Sequence, residues 1–466
     1  MRVRMIKRRV RSPGWLSVAA VLLAAGCGVD AGGVDRSCAY EVCDVEDEAC
    51  IKKIAEAVAC NLDREVIYPE VLFMTAEEYL AEVEADSPAP TAEEEQAYAD
   101  YFRGLALLGL MPENYESGNL SADSFRNFVA LYSLEHKHIV MISDRVAGEP
   151  QNDYLVMVHE MAHAYQDAEW DIRSLYDMFA PTYDRQLGVR ALIEGDAVRV
   201  DDLAYVKLER LDLPRVDWDG YYGAWQQAML EQAAESETPE LDVTSLFPYA
   251  FGGAFTMGAW LDGGDDQVGE LAARPPDSVR QVVQGHGAWP DQFSNEDEAF
   301  DPRAVAVLPE SYELLAGGHE SVWAINAMLQ RTADGDLWST ELDDISAEYL
   351  AVWRANNTEV VAMWRIRTQW PGDLVSTLAR GIWTDADASD EPTTHLATVI
   401  DGDVVLIAVS SGDARPVLAD ITGWQSPEEA FPEPDAGASR RPRGIDTERL
   451  GCVGHAEHRP GLRAGE

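Results

Sequence analysis

Two histidines four residues apart, His159 and His163, carry the clearest chemistry in the chain. On a helix their imidazoles sit one turn apart on one face, and two neutral rings at that spacing can hold one Zn²⁺. Glu160, beside the first of them, is placed to act as general base toward a water at the metal. Residues 154–158 (Tyr-Leu-Val-Met-Val) are apolar, which predicts a helix buried on most sides. A third ligand is available at Glu194, between the apolar residues 191–193 and Gly195. Burying a lone carboxylate is costly unless it is paired or bound to a metal. The interval from His163 to Glu194 leaves room for a loop and a return helix, and a His₂Glu set keeps a fourth position open for water. The histidine pair alone fits equally a buried helix with two hydrogen-bonded rings; the added carboxylate favours the metal.

The elements around this segment follow from local pattern. Residues 66–74 are strand-like, and Thr75 with Glu78 forms a capping box that starts a helix to about residue 85. Ser87-Pro88-Ala89-Pro90 breaks it, and residues 91–94 open a second helix. There Tyr98, Tyr101, Phe102, Leu105, Leu108 and Leu110 recur at helical spacing as core. Residues 125–133 and 138–143 bracket a turn at 135–137, which predicts a β-hairpin leading into the metal helix, with His136 and His138 in solvent. Residues 169–190 read as a long connection and 194–208 as the helix that brings Glu194. Asp201, seven residues beyond Glu194 on the same helix face, can orient a metal-bound imidazole, with Asp167 its rival. Residues 247–261 are apolar and Gly-spaced, expected against the metal and ending at Asp262-Gly263-Gly264-Asp265. A short helix through 283 follows the break at Pro275-Pro276. Beyond 311 come strands at 349–355 and 360–370, a helix at 372–381, and a hairpin at 398–406 turning on Asp401-Gly402.

The segments HEMAHAYQDAEWD (159–171) and RALIEGDAVRVDD (190–202) resemble secreted bacterial gluzincin-type metallopeptidases that carry "HELTHALQDQHFD … AL-EGDA". Residues 104–112 resemble that family's "LALLGLLP", 247–255 its "FPY–G–F", and 275–278 its "PP-S-T", so the likeness spans about 66–353. Where the family continues "Q-I-L-H-P" this chain has Gln281-Val282-Val283-Gln284-Gly285. Gln284 replaces the family's His, and His286 stands two residues on. The resemblance implies an α+β, zincin-like, mainly helical metallopeptidase core. Its active-site helix would lie beside a small sheet, one strand of which takes an extended substrate as an added strand. A smaller C-terminal α+β region is expected to support it. Tyr249 and His286 are the candidates for stabilising an oxyanion.

At 466 residues, one large or two modest domains are expected, and 46% hydrophobic residues supply a core. Lys+Arg 36 against Asp+Glu 83 gives a net charge of −47, which argues against nucleic-acid binding. Arg2, Arg4, Lys7, Arg8, Arg9 and Arg11 precede an apolar stretch at 15–25 too short to span a bilayer, the pattern of an export leader. It ends in Leu23-Ala24-Ala25-Gly26-Cys27, which resembles a bacterial lipobox; cleavage before Cys27 and lipid on its sulfur are expected, with ordinary secretion the alternative. Cys38, Cys43, Cys50 and Cys60 cluster as two disulfides in one of three connectivities, and Cys452 is left over. The expected organisation is a lipoprotein leader (1–26), a tether and Cys-rich segment (27–65), a zincin-like domain (66–310), a C-terminal α+β region (311–425) and a disordered tail (426–466). The expected function is zinc-dependent hydrolysis of a peptide or protein substrate by an exported cell-envelope lipoprotein, attached to the membrane only through Cys27. Its ligands would be His159, His163 and Glu194 and its base Glu160. The alternative is a catalytically inactive zinc-binding or structural surface lipoprotein.

Overall fold

Thr75 and Glu78 close the capping box reciprocally: Thr75 N donates to Glu78 Oε2 at 2.8 Å, and Glu78 N to Thr75 Oγ1 at 3.2 Å. The box opens helix α2 (Ala76–Asp86), which follows helix α1 (Glu48–Leu62) and strand β1 (Glu70–Met74). The computed structural model describes residues 38–86, 91–112, 115, 128–145, 148–178, 183–236, 238–276, 278–286, 305–318, 323–325, 345–355, 359–379, 383–387, 392–421 and 449–453. The leader, Cys27, the tether at 30–35 and the break at 87–90 lie outside them, as does the tail apart from 449–453. Two disulfides, Cys38–Cys60 and Cys43–Cys50, settle the connectivity that spacing left open and staple the 38–50 segment to α1.

After helix α3 (Ala92–Leu107), strands β2 (Phe128–Ser133) and β3 (His138–Ile142) form the expected hairpin, with Lys137 at φ 55° in its turn. His138 is buried in it rather than solvent-exposed, and stacks on His136 with ring centroids 5.4 Å apart. The sheet order is β1-β3-β2-β10, where β10 is Arg449–Val453, with β1 parallel to β3 and the other pairs antiparallel. Side chains alternate across it, as a strand's two-residue period demands. Ala130, Tyr132, Ile139 and Met141 face a core shared with Met157, Val158 and Met161 of helix α4 (Pro150–Trp170), while Leu131, Val140 and Ile142 face Tyr79 of α2.

Residues 449–453, read as part of a disordered tail, instead form strand β10 (Arg449–Val453), which pairs antiparallel along β2 from Arg449 opposite Ser133 to Val453 opposite Phe128. It thereby fills the outer edge of the hairpin.

Helix α5 (Ile172–Met178) and helix α6 (Tyr183–Leu208) occupy most of what read as a connection at 169–190. Helix α7 (Trp218–Glu235) and helix α8 (Pro239–Ala273) follow. Helix α8 runs on past 265, turning at Gly264 with φ 69°, a conformation that glycine adopts at little cost. Helices α6 and α8 touch backbone to backbone, since a Cβ on Gly195 would collide with the main chain of Gly252, and one on Gly252 with Ala191 O. Helix α9 (Val279–Gln284) precedes a second sheet built of β4 (Tyr312–Gly318), β5 (Ile345–Ala355), β6 (Glu359–Thr368), β7 (Thr384–Asp385), β8 (His395–Ile400) and β9 (Asp403–Val409). Its order is β4-β5-β6-β9-β8-β7. Helices α10 (Pro371–Leu378) and α11 (Arg415–Asp420) complete it. One face of this sheet, with Leu350, Val352, Ala362, Trp364 and Leu406, joins the core of Phe102, Leu105, Tyr222 and Phe251. Described residues on both sides of 310/311 thus share one core. The fold is α+β. Among the described residues no helix is long and apolar enough to cross a membrane.

Candidate metal centre

Helix α4 begins with Pro150 at its first position, where the missing N–H costs nothing, and is buried from Asp153 through Gln166. His159, Glu160 and His163 are each 0% exposed. A helix advances about 100° per residue, so Glu160 projects about 60° to the side of His163 and flanks the ligand face. Helix α6 crosses against α4 and carries Glu194, also 0% exposed. The close approach at Gly195 sets how deeply α6 seats on α8 at the residue next to Glu194.

The three expected ligands converge. Nε2 of His159 and Nε2 of His163 each lie 3.3 Å from the same oxygen, Glu194 Oε2. One ligand atom from each residue falls within 4.8 Å of the others, so the group could hold a metal ion. Tetrahedral bonds of 2.0–2.1 Å place neighbouring ligand atoms about 3.3 Å apart, which both His–Glu194 separations match. His163 Nε2 and Glu194 Oε1 are buried without hydrogen-bond partners, as donor atoms suited to a cation.

Each imidazole is held from behind. His159 Nδ1 lies 3.0 Å from Asp201 Oδ2, so Asp201 takes the orienting role and its rival does not. Asp167 instead accepts from Tyr132 Oη at 2.9 Å and Lys137 Nζ at 2.6 Å, tying α4 to the hairpin. His163 Nδ1 lies 2.7 Å from Gln166 Oε1. Gln166 was missed in the sequence, although its position three residues after His163 on one helix face was a usable signal. Gln166 Nε2 donates to Ile193 O and Asp196 Oδ2, both at 2.9 Å. Arg199, 3% exposed, bridges Asp196 Oδ1 at 2.8 Å and Asp265 Oδ1 at 2.9 Å, with its guanidinium 5.9 Å from the Trp260 ring.

Charge is unevenly shared. Burial pushes the Glu194 carboxyl up, but contact with His159, His163 and Arg190 outweighs it and holds the group below the usual carboxylate range. Arg190 Nε stands 3.8 Å from Glu194 Oε1, a pairing legible from the i, i+4 spacing. For His159, burial favours the neutral ring, while the bonds to Asp201 and Glu194 raise its pKa to about 10. Of the two oxyanion candidates, Tyr249 is fully buried with its ring 6.0 Å from that of His159. His286 pairs at the surface with Asp262 at 2.7 Å, thirteen residues or about 20 Å along α8 from Tyr249. The structure therefore brings Tyr249 to the centre and leaves His286 away from it. No family model, no curated protein and no solved structure matches the chain.

Proposed function

We propose that the chain is a zinc-dependent, endopeptidase-like hydrolase with a zincin-like, gluzincin-type centre. The observation that carries this reading is the convergence of His159 Nε2, His163 Nε2 and Glu194 Oε2, from two crossing helices, beside the Glu160 carboxylate. Two imidazoles and one carboxylate in a buried site with tetrahedral spacing suit zinc better than the oxygen-seeking calcium or magnesium. Bound there, zinc would polarise a carbonyl and lower the pKa of a water. Glu160 takes the proton of the attacking water and returns it to the leaving nitrogen, so the carboxylate ends as it began. Asp201 and Gln166 hold the imidazoles, and Tyr249, its ring 6.0 Å from that of His159, is the proposed oxyanion donor. The small mixed sheet beside α4 supports the zincin-like assignment.

One observation favours a second reading, a zinc-holding protein without turnover. His159, Glu160, His163 and Glu194 are all fully buried, so a peptide reaches them only when the covering residues move. Turnover separates the two readings: a broad peptide-library digest by zinc-loaded protein, compared with Glu160→Gln, should yield cleavage by wild type alone. We infer from the leader a cell-envelope location through a lipid on Cys27, with secretion the alternative; the proposed partner is a peptide or protein, and the net charge of −47 argues against nucleic acid.

A further inference from the structure

The amide of Gln166 can be oriented from chemistry alone. Its Nε2 faces Ile193 O and Asp196 Oδ2, and a main-chain carbonyl and a carboxylate bridged to Arg199 can only accept. The nitrogen must therefore point that way, and Oε1 must face His163 Nδ1 at 2.7 Å. An amide oxygen accepts, so in the neutral ring the proton sits on Nδ1 and the Nε2 lone pair points at Glu194 Oε2. Asp196 and Ile193 belong to α6, and Arg199 carries the chain of contacts on to Asp265 beyond the turn in α8. Gln166 is thus fixed by the helix that supplies Glu194. A carboxylate at 166 would accept from His163 equally well, but would lose the donor to Ile193 and set a second negative charge against Asp196.

We propose that Gln166 is a positioning residue of the metal centre: it fixes the tautomer of His163 so that its Nε2 is ready to bind before any metal arrives. The inference rests on the zinc reading of this site, but the tautomer can be measured without metal. Protein labelled with ¹⁵N-histidine, metal-free at pH 8, is examined by long-range ¹H–¹⁵N correlation, with His163 assigned from its loss in His163→Gln. Zn²⁺ affinity is measured by chelator competition, and folding by circular dichroism. Gln166→Met removes both acceptor and donor, whereas Gln166→Glu keeps the acceptor, loses the donor and adds a charge facing Asp196. Wild type should show His163 with its proton on Nδ1. Gln166→Met should lose the single tautomer and bind Zn²⁺ about 10–100-fold more weakly, as loss of a partner behind a ligand generally does. Gln166→Glu, although less stable, should keep the tautomer and bind at least about tenfold more tightly than Gln166→Met. A purely structural role would weaken both variants alike. A wild-type His163 protonated on Nε2, or a Gln166→Met protein that binds Zn²⁺ as tightly as wild type, overturns the proposal. Should Gln166→Met fail to fold, the wild-type tautomer decides. Should wild type take up no Zn²⁺, the zinc reading falls while the tautomer assignment is still judged by its own spectrum.

Discussion

Metal uptake should be a contest with a proton. Burial opposes a charge on His159, but Asp201 and Glu194 hold its pKa at about 10. At pH 7 the gap is about 3 units, or about 4 kcal/mol at 1.36 kcal/mol per unit, so apparent zinc affinity lies about 10³-fold below its alkaline limit. Affinity should climb close to tenfold per pH unit between about pH 7 and 9, with about one proton released per zinc bound. Stability of the metal-free protein should run the other way. Because the folded pKa is raised above the ordinary 6.5, the contribution of His159 is complete below that value and is lost as pH rises toward about 10. Asp201→Asn keeps the shape of the partner but removes its charge, and should move both trends to lower pH. Calorimetric titration in buffers of differing ionisation enthalpy counts the proton, and thermal melts follow the metal-free protein. Zinc binding that is flat from pH 7 to 9 and releases no proton would refute the reasoning.

Four further outcomes are expected, three from the packing of these helices and one from the leader. Glu194→Ala leaves only two imidazoles, so zinc content after dialysis should fall from about one per chain to near zero; unchanged content would remove Glu194 from the ligand set. Gly195→Ala forces α6 off the backbone of α8, and should cost about 1–3 kcal/mol in a denaturant titration. Gly223→Ala in α7, whose added Cβ meets nothing within 4 Å, should be neutral or stabilising by contrast. A labelled fatty acid should mark the protein through Cys27, and Cys27→Ser should abolish the label; an unmodified, soluble wild type would leave only an ordinary leader.

What the sequence disclosed was local. The His159/His163 spacing, the Thr75/Glu78 capping box and the Asp401-Gly402 turn each depend on residues within one or two turns of chain. Asp401 and Gly402 indeed take φ 50° and 91°. The arrangements that stayed hidden depend on distant segments meeting. The pairing of β10 with β2 joins residues more than 300 positions apart, and no local pattern in 449–453 announces it. The Arg199 bridge needs α6 and the end of α8 side by side before its two carboxylates share one guanidinium. The Gly-spaced stretch at 247–261, for which no helix was read, lies within α8. Gly252 is there because another backbone occupies the space of its side chain. The strands read at 349–355 and 360–370 carried no sign of what they pack against, so the core that Trp364 shares with Phe102 across 310/311 was not legible.

The central claim is that Glu160 moves a proton at a zinc held by other residues, and Glu160→Gln tests it most directly. The substitution keeps size and hydrogen-bonding reach but cannot accept a proton near neutral pH. Zinc content and hydrolysis must be measured on one preparation, since lost metal would mimic lost catalysis. The account predicts wild-type zinc content and folding, with peptide hydrolysis reduced by about 10²–10⁴-fold, the usual contribution of a positioned general acid–base group. Full hydrolysis by zinc-replete Glu160→Gln protein would contradict the account, and a zinc-loaded wild type that cleaves nothing in a broad peptide library would establish the metal-holding reading in its place.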